Sequence, residues 1–514
     1  MKVIQSVGIG LFLIGLAIFT IMPFLGNYTL TRELVLENTK EIHQEKMTEV
    51  LKSMYGDTYS SNFSFISAFN ENFSSYNDAL KDESKWDEVI WDDYSFPLAL
   101  ASVSSPVREN PWLFFGLSIG LAVLGGLMYN LPKHQDEPAG VKNNGIFHSS
   151  MKNRGWMGMI TGAYLILFYI ILYWFPAYIV NQVWMVTPLS RLLSGNPASQ
   201  WFLYGTIYTL AIIVMGVRMF RKYRGNKYQQ LRTASVMFFQ TAFAFLIPEI
   251  LVLLNQPYFD FKNIWPLDYD FFYDYQIDTF LSSGGVGMFM LIWGILLIII
   301  AVPLFTYFYG KRWYCSWVCG CGGLAETVGD PYRQLSDKSL KAWKYERVII
   351  HSVLVLAVVM TALTIANYFS GFALLGNATN QLHSFYGFAI GSVFAGVVGT
   401  GFYPFMGNRV WCRFGCPLAA YLGLVQRFKS RFRITTNGGQ CISCGNCSTH
   451  CEMGIDVRWY AQRGQEIVRS SCVGCGVCSS VCPRGVLKLE NGSTENRINE
   501  MPIIIGNDSI KINA

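Results

Sequence analysis

Apolar residues along this chain form long uninterrupted stretches, unlike the alternating or one-in-three patterns of water-soluble strands and helices. Eight of these stretches are long enough, at about 1.5 Å per helical residue, to cross about 30 Å of hydrocarbon. An even number of crossings leaves both chain ends on the same side of a bilayer. The pattern therefore predicts a mainly α, polytopic membrane helical bundle with spans near residues 7–25, 112–131, 157–180, 201–220, 234–254, 286–308, 347–367 and 385–405.

The first stretch has a second interpretation. Lys2 precedes a run of small and apolar residues, as it would in a signal peptide. No clear A-x-A cleavage site follows, and the stretch is long for the apolar part of a signal peptide. We therefore interpret residues 1–25 as an uncleaved membrane anchor helix.

Composition agrees with a membrane location. Hydrophobic residues make up 52% of the 514 residues and charged residues only 14%, whereas soluble chains carry about 25% charged residues. One large soluble core is excluded on scale, because cores stop growing near about 300 residues. The net charge of +6 is unevenly distributed between loops, which indicates membrane orientation and not a nucleic-acid partner.

The charged loops predict that orientation. Residues 218–232 contain six basic and no acidic residues, and further basic residues follow spans six and eight. Residues 255–285 instead contain five aspartates and one lysine. Since positively charged loops stay in the cytoplasm, we expect both termini and all cysteines on the cytoplasmic side of a bacterial inner membrane.

The segments outside the spans complete the predicted organisation. Residues 26–111 carry 15 acids against seven bases and include an amphipathic stretch at 31–54, which predicts an acidic, partly helical extracytoplasmic domain. This domain is either a docking face for a basic partner or a solvated cap on the bundle. The aromatic loop 257–275 is predicted to lie at the membrane interface. The remaining divisions are helices two to four in 112–233, helices five to eight in 234–433, a cysteine-rich domain in 434–490 and a C-terminal tail in 491–514.

The chain has 13 cysteines, none before Cys315, and eight of them fall between Cys441 and Cys482. Four of the eight follow the spacing Cys-x-x-Cys-x-x-Cys-x3-Cys, and the other four repeat it with Pro483 after the last cysteine. Spacing this dense and regular favours metal ligation over a disulfide scaffold.

This spacing predicts two [4Fe–4S] clusters in an α+β ferredoxin-like domain. Three thiolates at two-residue gaps can wrap one corner of a cubane, and the fourth cysteine of each run ligates the other cluster. Zinc is the alternative, but the repeated run is a poor zinc pattern. His450 is predicted to lie on the surface without binding metal. We assign cluster 1 to Cys441, Cys444, Cys447 and Cys482, and cluster 2 to Cys472, Cys475, Cys478 and Cys451.

A second cysteine pattern follows spans six and eight. Two segments share the pattern Gly-x-Arg-x-aromatic-Cys-x3-Cys, 97 residues apart, which indicates an internal duplication with a shared site between the halves. Cys-x3-Cys at helical spacing places both thiols on one helix face. At the cytoplasmic membrane face we predict a further metal site or a redox-active thiol pair, with small buried packing residues as the alternative, formed by Cys315, Cys319, Cys321, Cys412 and Cys416.

On these residues the chain resembles the bacterial membrane polyferredoxin family. That family includes the quinol-dehydrogenase membrane subunit of periplasmic nitrate reductase, the electron donor of nitrous-oxide reductase and the accessory polyferredoxin of cytochrome oxidase assembly. Its members carry two Cys-x3-Cys-Pro motifs and then a dicluster ferredoxin segment. Here the second motif matches fully, Gly320 replaces the proline of the first, and Glu452 replaces the proline that usually follows Cys451. The resemblance covers residues 234–490.

The resemblance implies an oxidoreductase component that exchanges electrons between the quinone pool and a redox protein partner. A quinone site needs an apolar slot and a proton-transferring group, and Glu249 near the outer end of span five is our candidate proton acceptor. Two other functions stay open. A metal-reducing assembly factor for a respiratory enzyme would bind metal at the membrane-face cysteines, and a redox-sensing regulator would bind a partner through residues 26–111.

Overall fold

The structure is a computed structural model that describes residues 2–133 and 155–491 and the paired strands Ile504–Ile505 and Ile510–Lys511. The predicted tail, 491–514, therefore lies almost wholly outside the described residues. The chain packs as two compact units. The first comprises Met1–Lys133 and Phe168–Leu210, and the second comprises the remainder of the described chain.

Eight helices among the described residues are long and apolar enough to cross a membrane, which confirms the predicted fold class. The third ends at Trp174, earlier than predicted, because Pro176 begins a separate short turn and the residue before a proline disfavours helix. The eighth begins at Ala378, earlier than predicted. The spans are Lys2–Phe24, Pro111–Lys133, Trp156–Trp174, Gln200–Lys222, Lys227–Leu253, Gly284–Tyr309, Leu340–Phe369 and Ala378–Gly401.

Within the first unit, residues 26–111 form short helices around a three-stranded antiparallel sheet. The amphipathic stretch 31–54 is divided between two helices, because Thr39 and Lys40 are both extended. The Thr31 side chain accepts a hydrogen bond from the Leu34 amide and caps the first of them. The strands are Asn27–Thr29, Thr58–Tyr59 and Val103–Ser104, and the helices of the unit outside the spans include Arg32–Asn38, Glu41–Val50, Asn62–Asp82, Ser95–Ser102, Pro106–Glu109 and Val180–Ser194.

In the second unit, the cysteine-rich segment and the spans share one hydrophobic core. The strands Arg433–Thr436 and Leu487–Glu490 pair antiparallel, with Ile434 opposite Leu489, so both ends of the cysteine-rich segment are held together. The α-helices of this unit outside the spans are Asp274–Ser282, Arg312–Cys315, Gly320–Thr327, Tyr403–Met406, Pro417–Lys429, Asn446–Thr449, Val457–Gln462 and Val477–Ser480. A 3-10 helix, Asp330–Leu335, and a π-helix, Trp411–Gly415, also lie outside the spans.

The aromatic loop 257–275 was predicted to lie at the membrane interface, and in the structure part of it folds back onto residues within the spans. The indole N–H of Trp265 donates to the Thr361 hydroxyl at 2.9 Å, and that of Trp293 donates to the Phe261 carbonyl at 2.8 Å. Both Thr361 and Trp293 lie well inside spans. Irregular backbone is tolerated at membrane depth only where it is buried in protein. The loop is therefore re-entrant and packs between the spans.

Candidate metal centre

The four cysteines assigned to cluster 2 line one cavity of the cysteine-rich segment. About 370 Å³ of space lies between the protein atoms there, part of it open to solvent. Gly474 and Gly476 have φ of +62° and +74°, a region that favours glycine, so the chain turns tightly on both sides of Cys475. We call this cavity the cluster 2 site, and its cysteines are Cys451, Cys472, Cys475 and Cys478.

The four cysteines assigned to cluster 1 line a second cavity of about 350 Å³. Gly445, with φ of +78°, precedes the short helix Asn446–Thr449 that carries Cys447. Gly476 precedes the helix of Cys478 in the same way, so the two halves repeat one local structure. We call this cavity the cluster 1 site, and its cysteines are Cys441, Cys444, Cys447 and Cys482.

Each cavity contains one cysteine from the opposite half of the segment. Cys451 lines the cluster 2 site and Cys482 lines the cluster 1 site, which is the exchange expected of a two-cluster ferredoxin. Within the described ranges, no three His, Cys, Asp or Glu side chains lie close enough to hold a single metal ion. The ligand sets themselves remain a prediction.

Burial makes two of these thiols, Cys472 and Cys447, weaker acids. It raises the pKa of Cys472 and of Cys447 to about 11, so both are protonated at neutral pH without metal. Iron binds thiolate and not thiol. Cluster binding would therefore release protons and contribute to folding stability.

The duplicated motifs do not place two thiols on one helix face, as helical spacing had predicted. Cys315 ends the helix Arg312–Cys315, and Cys319 precedes the helix Gly320–Thr327 that contains Cys321. In the second motif, Cys416 is the N-cap of Pro417–Lys429, and its sulfur accepts a hydrogen bond from the Ala419 amide. Each motif is thus a break between two helices, which turns its cysteines toward one point.

The two motifs meet in what we call the five-cysteine group: Cys315, Cys319, Cys321, Cys412 and Cys416. Four of its members are at most 7% exposed, and Cys321 packs against them. Arg409 crosses between the motifs, with Nη1 3.6 Å from the Cys412 sulfur and 3.2 Å from the Cys315 carbonyl oxygen. A hydrogen bond from the Cys321 thiol lowers the pKa of Cys319. Duplication has therefore produced one shared thiol site.

This group lies between the helices, and its place at the cytoplasmic membrane face stays a prediction. Tyr421, on the helix that follows Cys416, donates to the Ile298 carbonyl at 3.2 Å, and Ile298 lies in the middle of the sixth span. From the opposite end of that span, the re-entrant loop brings the Lys262 carbonyl within 2.9 Å of the Tyr314 hydroxyl. The group therefore sits where two inward-folded segments meet.

The cluster 2 site rests directly on the first motif. The Ser316 hydroxyl donates to the Val473 carbonyl at 2.9 Å, and the Gln426 amide donates to the Cys472 carbonyl at 2.8 Å. From the fifth span, Tyr228 donates to the Gly474 carbonyl at 2.7 Å. Ser316 follows Cys315 and Val473 follows Cys472, so these bonds hold the five-cysteine group and the cluster 2 site side by side.

A buried network of charged side chains fills the space beneath the cluster 2 site, and sequence reasoning missed it. Glu452 pairs with Arg333 at 2.8 Å and with Arg409 at 3.2 Å. Although desolvation opposes ionisation, these arginines lower the pKa of Glu452 to about 2. The other pairs are Glu326 with Arg232 and Arg409, and Asp330 with Arg218, Lys222 and Arg333. The replacement of proline by Glu452 was the signal that could have revealed this network.

The structure also locates two other residues singled out from the sequence, Glu249 and His450. Glu249 lies in the fifth span and lines neither cysteine cavity; its proton-accepting role stays a prediction. His450 is only 3% exposed, contrary to the predicted surface location, because its helix packs inward and its Nδ1 lies 2.9 Å from the Asn446 carbonyl oxygen. It lines neither cavity.

Comparison with known protein families gives two matches. A 4Fe-4S binding domain matches residues 291–339 and again 387–435, so one copy covers each duplicated motif. A 4Fe-4S dicluster domain matches residues 412–487, which include all eight cysteines of the two cavities. Both matches support iron–sulfur binding by this chain.

One curated relative is YccM of Escherichia coli (strain K12), which is named provisionally as an electron transport protein. It is 29% identical over 171 residues, a region that covers 29% of this chain and 43% of the relative. This chain thus spans less than half the length of the relative that it matches. No solved structure matches the chain. With the eight apolar helices, these findings support a membrane polyferredoxin-like family and iron–sulfur electron transfer.

Proposed function

From the premise that the chain is a membrane polyferredoxin-like protein, we propose that it exchanges electrons between the quinone pool and a redox protein partner through two [4Fe–4S] clusters. The observation that carries this proposal is the docking of the cluster 2 site onto the five-cysteine group between the spans. A soluble ferredoxin would not need contact between a cluster site and thiols that lie between apolar helices. A protein that carries electrons between the membrane and a soluble partner would need that contact.

The order of the sites supports a linear route. When bound, each cluster would accept one electron and pass it on. Cys444 of the cluster 1 site is exposed, so this end can approach a soluble partner. Cys447 and Cys478, one from each cavity, lie close enough to interact electrostatically. The cluster 2 site therefore stands between the five-cysteine group and the exposed cluster 1 site.

The quinone end and the orientation form the finer part of the proposal. Glu249 would accept a quinol proton, since ionisable groups within membranes are costly and usually functional. The positively charged loops favour an orientation with both termini and both clusters in the cytoplasm, on the inner side of a bacterial inner membrane. Electrons would then pass between a quinone bound among the spans and the clusters, and between the clusters and the redox partner.

The test is anaerobic purification of the full chain in detergent, with iron and sulfide analysis and reduction by a menaquinol analogue. We expect about eight irons per chain and reduction of the clusters by menaquinol. Glu249→Gln should slow this reduction and leave reduction by dithionite unchanged, while Glu466→Gln, in a partly exposed pair with Arg433, should change neither. A protein without iron would refute the function. Intact clusters indifferent to menaquinol would refute the quinone step.

The five-cysteine group also favours a second candidate, reduction of a soft metal ion for assembly of a respiratory enzyme. A contacting pair of thiols within this group, Cys319 and Cys321, would suit Cu(I), which prefers thiolate ligands. Competition for Cu(I) with a chelator distinguishes the two functions. If Cys319→Ser and Cys321→Ser abolish tight Cu(I) binding while iron stays at about eight per chain, the metal-reducing function is supported.

A further inference from the structure

The buried network beneath the cluster 2 site carries an excess of positive charge. Among the described residues, five cations pair with three carboxylates, which leaves two positive charges uncompensated. Every one of these side chains is at most 12% exposed, so solvent screens them little. The cations are Arg218, Lys222, Arg232, Arg333 and Arg409, and the carboxylates are Glu326, Asp330 and Glu452.

Uncompensated buried charge is costly, so this network requires a negative group at its edge. Arg333 Nη1 lies 3.8 Å from the Cys475 sulfur, and Arg232 Nη1 lies 3.2 Å from the Cys475 carbonyl oxygen. Arg232 Nε and Arg333 Nη2 are buried and have no hydrogen-bond partner in the part of the chain that the structure describes. A [4Fe–4S] core with four thiolates is doubly negative and gains a further negative charge on reduction. It is the class of group that this network would stabilise.

The cluster 1 site lacks such surroundings. Arg458 and Arg484 line its cavity, but both are exposed. Water and salt screen such exposed charges, whereas they screen the buried cations of the network much less, so each buried cation acts more strongly on its cluster. Burial by itself disfavours the more negative, reduced form of a cluster. The buried cation excess acts in the opposite direction, and among the described residues it adjoins the cluster 2 site and not the cluster 1 site.

We propose that this buried network sets the order of reduction and holds cluster 2 at a higher reduction potential than cluster 1. The inference rests on the proposed function, because it requires both clusters. In the loaded protein, cluster 2 would gain one electron from a quinol, or from the redox partner by way of cluster 1, and transfer of that electron to cluster 1 would return cluster 2 to its oxidised form. An electron that reaches either cluster therefore resides mainly on cluster 2, next to the five-cysteine group.

Arg333 is the positioning residue with the most direct role, because it contacts Cys475, Glu452 and Asp330 together. Its charge is expected to favour reduced cluster 2 at least about tenfold, which corresponds to about 59 mV for a one-electron couple. The negative charge of Glu326, elsewhere in the network, is expected to disfavour reduced cluster 2. The two residues therefore predict potential shifts of opposite sign.

The experiment is a dithionite titration of the full-length, cluster-loaded protein in detergent, followed by electron paramagnetic resonance. Cys444→Ser, at the exposed end, identifies the signal of cluster 1. In the unsubstituted protein, the cluster 2 signal should appear first. Arg333→Gln should lower the potential of cluster 2 by about 59 mV or more, Glu326→Gln should raise it, and Arg333→Lys should leave it nearly unchanged.

Two controls separate charge from folding. The double variant with Arg333→Gln and Glu452→Gln removes one charge of each sign and should restore a potential close to that of the unsubstituted protein. Arg458→Gln, at the exposed cluster 1 site, should shift either potential only slightly. Earlier reduction of cluster 1 would overturn the inference. So would shifts of the same sign in Arg333→Gln and Glu326→Gln. Absence of iron would instead refute the proposed function, so the two failures are distinguishable.

Discussion

The eight cysteines of the two cluster sites and the five of the duplicated motifs come together in different ways. The eight lie within one short segment, where glycine turns and two short helices bring each set to its cavity. The duplicated cysteines are 97 residues apart and meet only through the packing of spans and a re-entrant loop. Spacing therefore predicts a local site well, whereas a site shared between repeats depends on tertiary structure.

The largest effect should separate these two regions by iron content. Cys478→Ser should remove cluster 2 and about four of about eight irons per chain, because it deletes one of four predicted ligands. Cys416→Ser should leave those irons in place and abolish reduction by menaquinol. Iron and sulfide analysis with anaerobic spectroscopy measures both. If Cys416→Ser also removes the ferredoxin signals, the two regions do not act as separate sites.

A second prediction concerns Glu452, which joins the regions because it follows Cys451 and pairs with Arg409 of the second motif. Glu452→Gln leaves buried arginines without their carboxylate and should destabilise the protein by about 3–5 kcal/mol. The matched control is Glu466→Gln, whose pair with Arg433 is partly exposed and is worth about 0–1 kcal/mol. Urea unfolding in detergent gives both values. Equal losses would show that the network adds nothing beyond a surface pair.

A third, smaller effect compares two glycines of the ferredoxin segment with the same φ of +62°. Alanine costs about 1–2 kcal/mol in this conformation at either position. At Gly474 the added Cβ would also lie 2.7 Å from the Arg312 Cβ, whereas at Gly485 it meets no atom within 4 Å. Gly474→Ala should therefore be the more destabilising and should weaken cluster 2. Similar unfolding midpoints for the two variants would contradict the close docking of this loop.

Much of this structure could be predicted from sequence for physical reasons. Length and apolar composition are sufficient for a span, and the eight spans were identified. Cysteine spacing is sufficient for a local turn, and each predicted set lines one cavity. The re-entrant loop was missed because its aromatic residues suit a membrane interface as well as a bundle interior. The pairing of Glu452 with Arg333 was missed because they are far apart in sequence, and no periodic pattern records contacts at that distance.

The smallest predicted effect concerns Cys321, which has no counterpart in the second motif. If the duplication supplies the working site, the two Cys-x3-Cys pairs provide its four thiols and Cys321 is accessory. Cys321→Ser keeps a hydrogen-bond donor toward Cys319, so we expect menaquinol reduction to change by less than about twofold, or about 0.4 kcal/mol.

Cys319→Ser is the matched control, because it removes a thiol that both repeats share, and it should abolish menaquinol reduction. Rates for both variants are measured on protein with equal iron content, so that loss of clusters is not mistaken for loss of this site. Equal loss in the two variants would mean that all five thiols act together. The duplication would then explain how the site arose but not which thiols work in it. The shared site would depend on Cys321, a residue that only the first repeat contains.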